Sequence, residues 1–220
     1  MSLFVTGTDT GVGKTFTVRQ ILRLLNLVGR RSAGMKPICC GDRDDAALLL
    51  AAGADGLTIE QINPLWYTTP VAPFTAAQIE KREFNLEPIL SAFAVLQQSV
   101  EHVFVEGVGG WLAPIAPNFY VRDLAMQLQL PVLLVAQNRL GCLNHTLLTL
   151  ESIEKSGLQC VAVVLNDPPG HNEIATATNR DVLNQLCHVP ILMNIEEKAT
   201  FFPADWVTLP GLERCPTLST

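Results

Sequence analysis

Apolar and polar positions fall into two kinds of block along this chain. Residues 3–5, 32–36, 102–105, 131–136, 159–165 and 190–195 are short strand-like runs, all but 32–36 rich in Val, Leu or Ile. Most are continuously apolar rather than alternating, as strands of a parallel sheet are when both faces are covered. Longer stretches with apolar residues at helical spacing separate them: 16–28, 74–81, 86–100, 121–128, a helix running to about Ser156, and a weaker one over 173–186. In 86–100, Ile89, Leu90, Phe93 and Leu96 make one core face, and residues 46–52 are a run of strong helix formers. This alternation predicts an α/β fold with a mainly parallel sheet, helices on both faces and right-handed crossovers, most economically one domain over residues 1–220. Three stretches lack either pattern. Residues 54–73, with Asn63-Pro64, Thr69-Pro70 and Ala72-Pro73, read as an irregular segment crossing the sheet edge, and 111–117 as a loop. The tail from Lys198, with Pro203, Pro210 and Pro216, has no clear period. No internal repeat or low-complexity linker is present.

Two loops between these blocks carry candidate chemistry. After the first strand comes Gly7-Thr8-Asp9-Thr10-Gly11-Val12-Gly13-Lys14-Thr15, then the helical stretch that begins at Phe16. Strand, glycine loop and helix in that order are the context a phosphate loop needs. Gly13 lets the backbone approach an anion, and loop and helix-start N–H groups converge on it. Lys14 would reach β- and γ-phosphates, and the Thr15 hydroxyl would ligate Mg²⁺. The loop is a variant, because its first glycine is Gly7, one place before the usual position, which is Thr8. The third apolar run, 102–105, is followed by Glu106 and then Gly107-Val108-Gly109-Gly110. A carboxylate at that strand end can hold Mg²⁺ opposite Thr15. Lys36, just before Pro37, also falls at a strand's carboxyl end, the edge where open α/β sheets bind ligands. Asp42, Asp44 and Asp45 precede a helix, where acids serve as caps and dipole partners as readily as metal ligands. Asn144 reads equally as a plain N-cap and as part of a helix start facing a substrate carboxylate.

Composition narrows the class. The chain is 48% hydrophobic and 16% charged, enough to bury a substantial core, with a formal charge of −6. That charge argues against a general binder of nucleic acid or anionic membranes, which needs basic patches. No apolar run approaches the ~20 residues of a spanning helix. The six cysteines (Cys39, Cys40, Cys142, Cys160, Cys187, Cys215) contain no Cys-x-x-Cys pair and no zinc-finger spacing. They read as free thiols in a cytoplasmic protein.

The loop from Gly7 to Thr15, Lys36-Pro37, the stretch from Glu106 to Trp111, Leu140-Gly141-Cys142-Leu143-Asn144-His145 and Asn166-Asp167 stand in the order and spacing of the dethiobiotin synthetases. The chain resembles that family from residue 3 to about 195. The resemblance implies a P-loop NTPase-like fold and a homodimeric, ATP- and Mg²⁺-dependent ligase of biotin synthesis. Such an enzyme closes a ureido ring on 7,8-diaminopelargonic acid with CO₂, through a carbamate and a carbamic-phosphoric mixed anhydride. It further implies Lys14, Lys36 and Thr10 as catalytic groups, and Thr15, Asp45 and Glu106 as metal ligands. Gly11, Val12, Gly13, Lys14, Thr15, Phe16, Asp45, Glu106, Gly107, Val108, Gly109, Asn166 and Asp167 would bind ATP, with Asn166 reading the adenine edge. Lys36, Cys40, Gly109, Gly141, Cys142, Leu143 and Asn144 would contact substrate. The helix start at 141–144 would do so across the dimer interface.

Several positions depart from the family pattern. Gly11 stands where Glu is frequent, Cys40 where a substrate-contacting Ser is common, and Ile174 in place of a Tyr. The adenine-flanking stretch is Ile195-Glu196-Glu197-Lys198, which points to a broader nucleotide preference. Two rival readings share the fold. A partitioning or positioning ATPase would carry a signature lysine where this chain has Asp9. An amidotransferase of the cobyrinic acid type would need a glutaminase domain, for which 220 residues leave no room.

Overall fold

The computed structural model describes residues 1–167, 174–213 and 215–217. In chain order it contains β1 (Ser2–Gly7), α1 (Lys14–Leu27), β2 (Ser32–Met35), β3 (Ile38–Cys40), α2 (Asp44–Ala52), α3 (Ile59–Ile62), β4 (Leu65–Tyr67), α4 (Pro73–Glu80) and α5 (Glu87–Ser99). There follow β5 (His102–Glu106), β6 (Pro114–Ala116), β7 (Phe119–Tyr120), α6 (Val121–Leu128), β8 (Val132–Gln137), α7 (Cys142–Lys155), β9 (Cys160–Asn166), α8 (Ile174–Leu186), β10 (Ile191–Met193) and a 3₁₀ turn at Trp206–Thr208.

Six strands form the central sheet in the order β10-β9-β8-β1-β5-β2, and every pairing is parallel. Position by position, β5 is buried throughout and β8 nearly so. Both faces of the sheet are therefore covered, which is why these strands read as unbroken apolar runs. The strand order reverses around β1, with β8 on one side and β5 on the other. In such sheets the crevice beyond the strands' carboxyl ends at that reversal is where ligands bind. The loop after β1 and the residues after β5 both open there.

Three irregular stretches are more ordered than their sequences predict. Residues 54–73 contain α3 and β4, and β4 pairs in parallel with β3, Ile38 opposite Leu65 and Cys40 opposite Tyr67. The Thr58 side chain and Gln61 form a reciprocal capping box that starts α3. The predicted loop over 111–117 includes β6, which closes an antiparallel hairpin on β7. The tail is packed rather than loose: Phe202, Trp206, Leu209 and Leu212 are all buried. Trp206 Nε1 donates to the Met193 carbonyl at 2.9 Å, and Arg180 meets Asp205 at 2.9 Å. The start of the last helix at Glu173 lies outside the described residues. Among those residues, no helix is long and apolar enough to cross a membrane. All six cysteines are free.

Candidate active site

The loop between β1 and α1 wraps tightly because its glycines are needed. A Cβ on Gly7 would stand 2.7 Å from Val12 Cγ2 and 2.9 Å from the Asp9 carbonyl. The glycine that looked one place early is thus the one the turn requires. Gly13 has φ 98°, in the left-handed region, and a Cβ there would stand within 2.0 Å of Asn166 Nδ2. Asn166, at the end of β9, instead donates to the Val12 carbonyl at 3.1 Å and so seats its side chain against the loop. Asp9 turns the loop through its Oδ1, which accepts from the Thr10 N–H at 2.7 Å, while its carbonyl accepts from Lys14 Nζ at 3.0 Å.

Four side chains, three from α1, α2 and β5 and one from the turn after β2, meet where α1 begins. Thr15 Oγ1 lies 2.9 Å from Asp45 Oδ1 and 2.8 Å from Glu106 Oε1, so two carboxylates compete for its single proton. Lys36 Nζ donates to Asp45 Oδ2 at 2.7 Å and to Glu106 Oε1 at 2.5 Å. Glu106 is fully buried, and its Oε2 has no partner among the described residues. Of the three neighbouring acids, only Asp45 enters this cluster. Asp42 Oδ1 accepts from the Asp44 N–H at 3.2 Å, and Asp44 is exposed. Lys36 sits just past β2, and its backbone is pinned on both sides. Its N–H donates to the Ile62 carbonyl at 2.8 Å, and its carbonyl accepts from Asn63 Nδ2 at 2.8 Å.

The charges are strongly coupled. Burial works to lower the Lys36 ammonium, but Glu106 and Asp45 outweigh it and hold it above the ordinary lysine value. Lys14 goes the other way, down to about 8, because burial and the repulsion of Lys36 exceed the pull of the nearby carboxylates. For Asp45, burial raises the carboxyl, and Lys36 with the Thr15 hydrogen bond more than reverses that.

These residues line a cleft of about 1010 Å³. Thr10, Gly11, Gly13, Lys14, Thr15 and Phe16 form its floor, and Lys36, Cys40, Asp45, Glu106, Val108 and Gly109 border it. Val12, Gly107, Asn166 and Asp167 do not line the cleft. Asp167 Oδ1 is buried without a partner among the described residues. The Cys40 thiol is held up to about 11 by burial and by Glu80, so it is neutral near pH 7 and can offer only a weak donor where a serine would offer a hydroxyl.

Gly141, Cys142, Leu143 and Asn144 do not line the cleft of their own chain, although Leu148, Thr149 and Ser152, further along α7, do. The turn before α7 is firmly built. Asn179 Nδ2 donates to Asn138 Oδ1 at 2.9 Å and to the Arg139 carbonyl at 3.2 Å, and Asn138 Nδ2 donates to the Thr176 carbonyl at 3.0 Å. Ile174, at the head of α8, is 88% exposed and touches none of this. Of the adenine-flanking stretch, Ile195 is buried and residues 196–198 are exposed.

Sequence reasoning missed part of the wall, namely Pro70, Val71, Ala72 and Pro73 as one lip and Leu112 with Leu148 as an apolar rim. The paired Thr-Pro and Ala-Pro steps announced a turn there, but nothing in them said which way it faces.

The residue types fit a magnesium–nucleotide complex. A hydroxyl and two carboxylates are hard oxygen donors, and Glu106 Oε2 is a buried oxygen without a partner among the described residues. Among the described residues no group of three or more His, Cys, Asp or Glu could hold a metal unaided. That is the expected state of a Mg²⁺ site completed by phosphate oxygens and water.

The family described as AAA domain matches residues 1–201. A protein of Akkermansia muciniphila named ATP-dependent dethiobiotin synthetase BioD is 42% identical over 191 residues, covering 87% of this chain and 90% of that one. One of the same name from Endomicrobium trichonymphae is 33% identical over 210 residues, covering 93% and 97%. Among solved structures, a ParA family ATPase from Chlorobium tepidum superposes with TM-score 0.50 at 11% identity, over 90% of this chain and 86% of that one. The signal recognition particle receptor FtsY of Elizabethkingia anophelis, in complex with GDP, gives TM-score 0.53 at 16% identity over 90% and 58%. At such identities these two speak for the P-loop NTPase-like fold alone.

Proposed function

The chain belongs to the ATP-dependent dethiobiotin synthetase family, and from that premise we propose that it is the cyclo-ligase that makes dethiobiotin in biotin biosynthesis. Its substrates are 7,8-diaminopelargonic acid, CO₂ and ATP, and its products are dethiobiotin, ADP and phosphate. One observation carries the reading: Thr15, Lys36, Asp45 and Glu106 converge beside Lys14 at the mouth of a glycine loop. Bringing a carbamate to a triphosphate joins two anions, and this cluster supplies the fixed cations and donors that such an encounter needs.

The reaction runs in three steps. One amine of the substrate captures CO₂ as a carbamate. A carbamate oxygen then attacks the γ-phosphorus, the bond to the β,γ-bridging oxygen breaks, and ADP leaves behind a carbamic-phosphoric anhydride. The second amine attacks the carbamoyl carbon, phosphate departs, and the ureido ring closes. Lys14 stands against the β- and γ-phosphates, and the Thr10 hydroxyl lies at the loop edge facing the transferring group. Lys36 faces the carbamate, with Cys40 and Gly109 beside it. Thr15, Asp45 and Glu106 would hold Mg²⁺, which when bound offsets phosphate charge. Gly11, Val12, Gly13 and Phe16 cradle phosphate, Gly107, Val108 and Asp167 flank the nucleotide, and Asn166 reads the base edge. Gly141 to Asn144 do not line their own cleft and Leu140 is 76% exposed, which supports reading α7 as the surface of a homodimer. Its start would bind the substrate carboxylate in the partner's cleft.

The test is a mass-resolved assay with ATP, Mg²⁺, ¹³C-bicarbonate and 7,8-diaminopelargonic acid. Labelled dethiobiotin is expected from the native chain and a fall of about a thousandfold or more in Lys14→Ala. Nucleotide binding without product would overturn the assignment of substrate. Strict ATP use in competition binding against other nucleotides would dispose of the broader base preference.

A further inference from the structure

The Lys36 ammonium lies where the carboxylates of Asp45 and Glu106 converge, 2.7 and 2.5 Å from one oxygen of each. These are the carboxylates that, with Thr15, are assigned to the metal. A divalent cation sits within about 2.1 Å of its oxygens. An ammonium already at hydrogen-bond distance from both groups takes one oxygen of each and repels a second cation brought to the same pair. The two occupants compete for the pair. We propose that Lys36 is an internal stand-in for the metal: it holds the Asp45–Glu106 pair closed, is displaced when the metal arrives with its nucleotide, and only then turns into the cleft towards the second substrate. The inference rests on the nucleotide-site reading above and deepens it.

Three further observations support it. Glu106 is fully buried, so without a cation its charge would be uncompensated, and Lys36 is the cation that compensates it. The backbone of Lys36 is fixed on both sides by Ile62 and Asn63, so the exchange needs only side-chain rotation about a flexible four-carbon stem. Lys36 also lines the cleft, so the released ammonium has somewhere to go. The device would make the enzyme bind free metal poorly and metal-nucleotide well, since the nucleotide contributes the extra donors needed to evict the lysine.

The probe is Mn²⁺, followed by electron paramagnetic resonance without nucleotide, on the native protein, Lys36→Met and Lys36→Arg. Lys36→Met is expected to bind Mn²⁺ about tenfold or more tightly than the native chain, and Lys36→Arg no better than native. Equal Mn²⁺ affinity in Lys36→Met and native protein would overturn the stand-in role. Should Lys36→Met fail to fold, the native protein decides. A slowly exchanging Lys36 Nζ resonance, assigned through Lys36→Arg, is expected in ¹⁵N NMR and should shift or vanish on adding Mg²⁺ with a non-hydrolysable ATP analogue. A resonance unmoved by the complex would sink the proposal. Binding of Mn²⁺·ATP to the native chain is measured alongside. Its absence would count against the nucleotide site itself, whereas its presence without a gain in Lys36→Met would count against the exchange alone.

Discussion

At the scale of single residues, the protein holds positions that no side chain could fill and, at the far end of β5 from the site, a group kept neutral by its surroundings. Gly13 belongs to the first kind, since any Cβ there would strike Asn166. His102 belongs to the second. It opens β5 and is 2% exposed, and its Nε2 lies 2.9 Å from Arg30 Nη2, which makes that nitrogen an acceptor. Burial, then the N-terminal ammonium, then Arg30 push it down to about 4, while Glu101 and Glu213 pull weakly the other way. The sign follows from linkage. Above pH ~6.5 the ring is neutral folded and unfolded, and below it the unfolded chain takes up a proton that the folded chain refuses until pH nears 4. Stability should therefore fall as pH drops through that window, by about 2 kcal/mol at pH 5 from this group. Urea midpoints at pH 7.5 and 5 should separate more for the native chain than for His102→Gln. Equal losses in the two would assign the acid sensitivity elsewhere. Reading residues alone, Glu106 and Lys36 stood out because each closes a strand next to a glycine or proline. Asp45 did not, because Asp42, Asp44 and Asp45 look alike until the fold turns one of them onto Thr15.

At the scale of elements, legibility followed length and period. The central strands and long helices announced themselves through unbroken or helical apolar spacing. The three-residue strands β3 and β4 did not, because neither lies in a longer apolar run as β10 does, and their pairing depends on a turn whose direction is not written locally. The tail is the other silent element. Phe202, Trp206, Leu209 and Leu212 are spaced three and four apart, but Pro203 and Pro210 interrupt them and they reach the core from backbone whose regular structure is one 3₁₀ turn. Trp206 is fully buried and its indole is hydrogen-bonded to β10, so Trp206→Ala should destabilise by roughly 3–5 kcal/mol. Chemical denaturation would measure this directly. A loss within ~0.5 kcal/mol would mean that the tail is dispensable.

For the whole molecule, the proposed exchange of α7 between subunits has a sharp consequence. If each site takes Lys14 from one chain and Asn144 from its partner, then Lys14→Ala and Asn144→Ala are each inactive alone. Mixed and allowed to exchange, they should recover about one quarter of native activity, since half the dimers are mixed and each holds one intact site. No recovery, with exchange verified by mass, would place Asn144 in its own chain's chemistry or in none.

The position of β1 has consequences before the protein ever meets a ligand. It occupies the interior of the sheet, yet Ser2 pairs with Val103 and Phe4 with Val132. During synthesis the glycine loop therefore emerges attached to a strand with no neighbours, and must wait on the order of ten seconds for both flanks to leave the ribosome. For that interval a bare apolar segment is offered to any sticky surface nearby. The arrangement that makes the nucleotide cradle rigid in the finished enzyme makes it the piece most in need of shelter while the chain is being born.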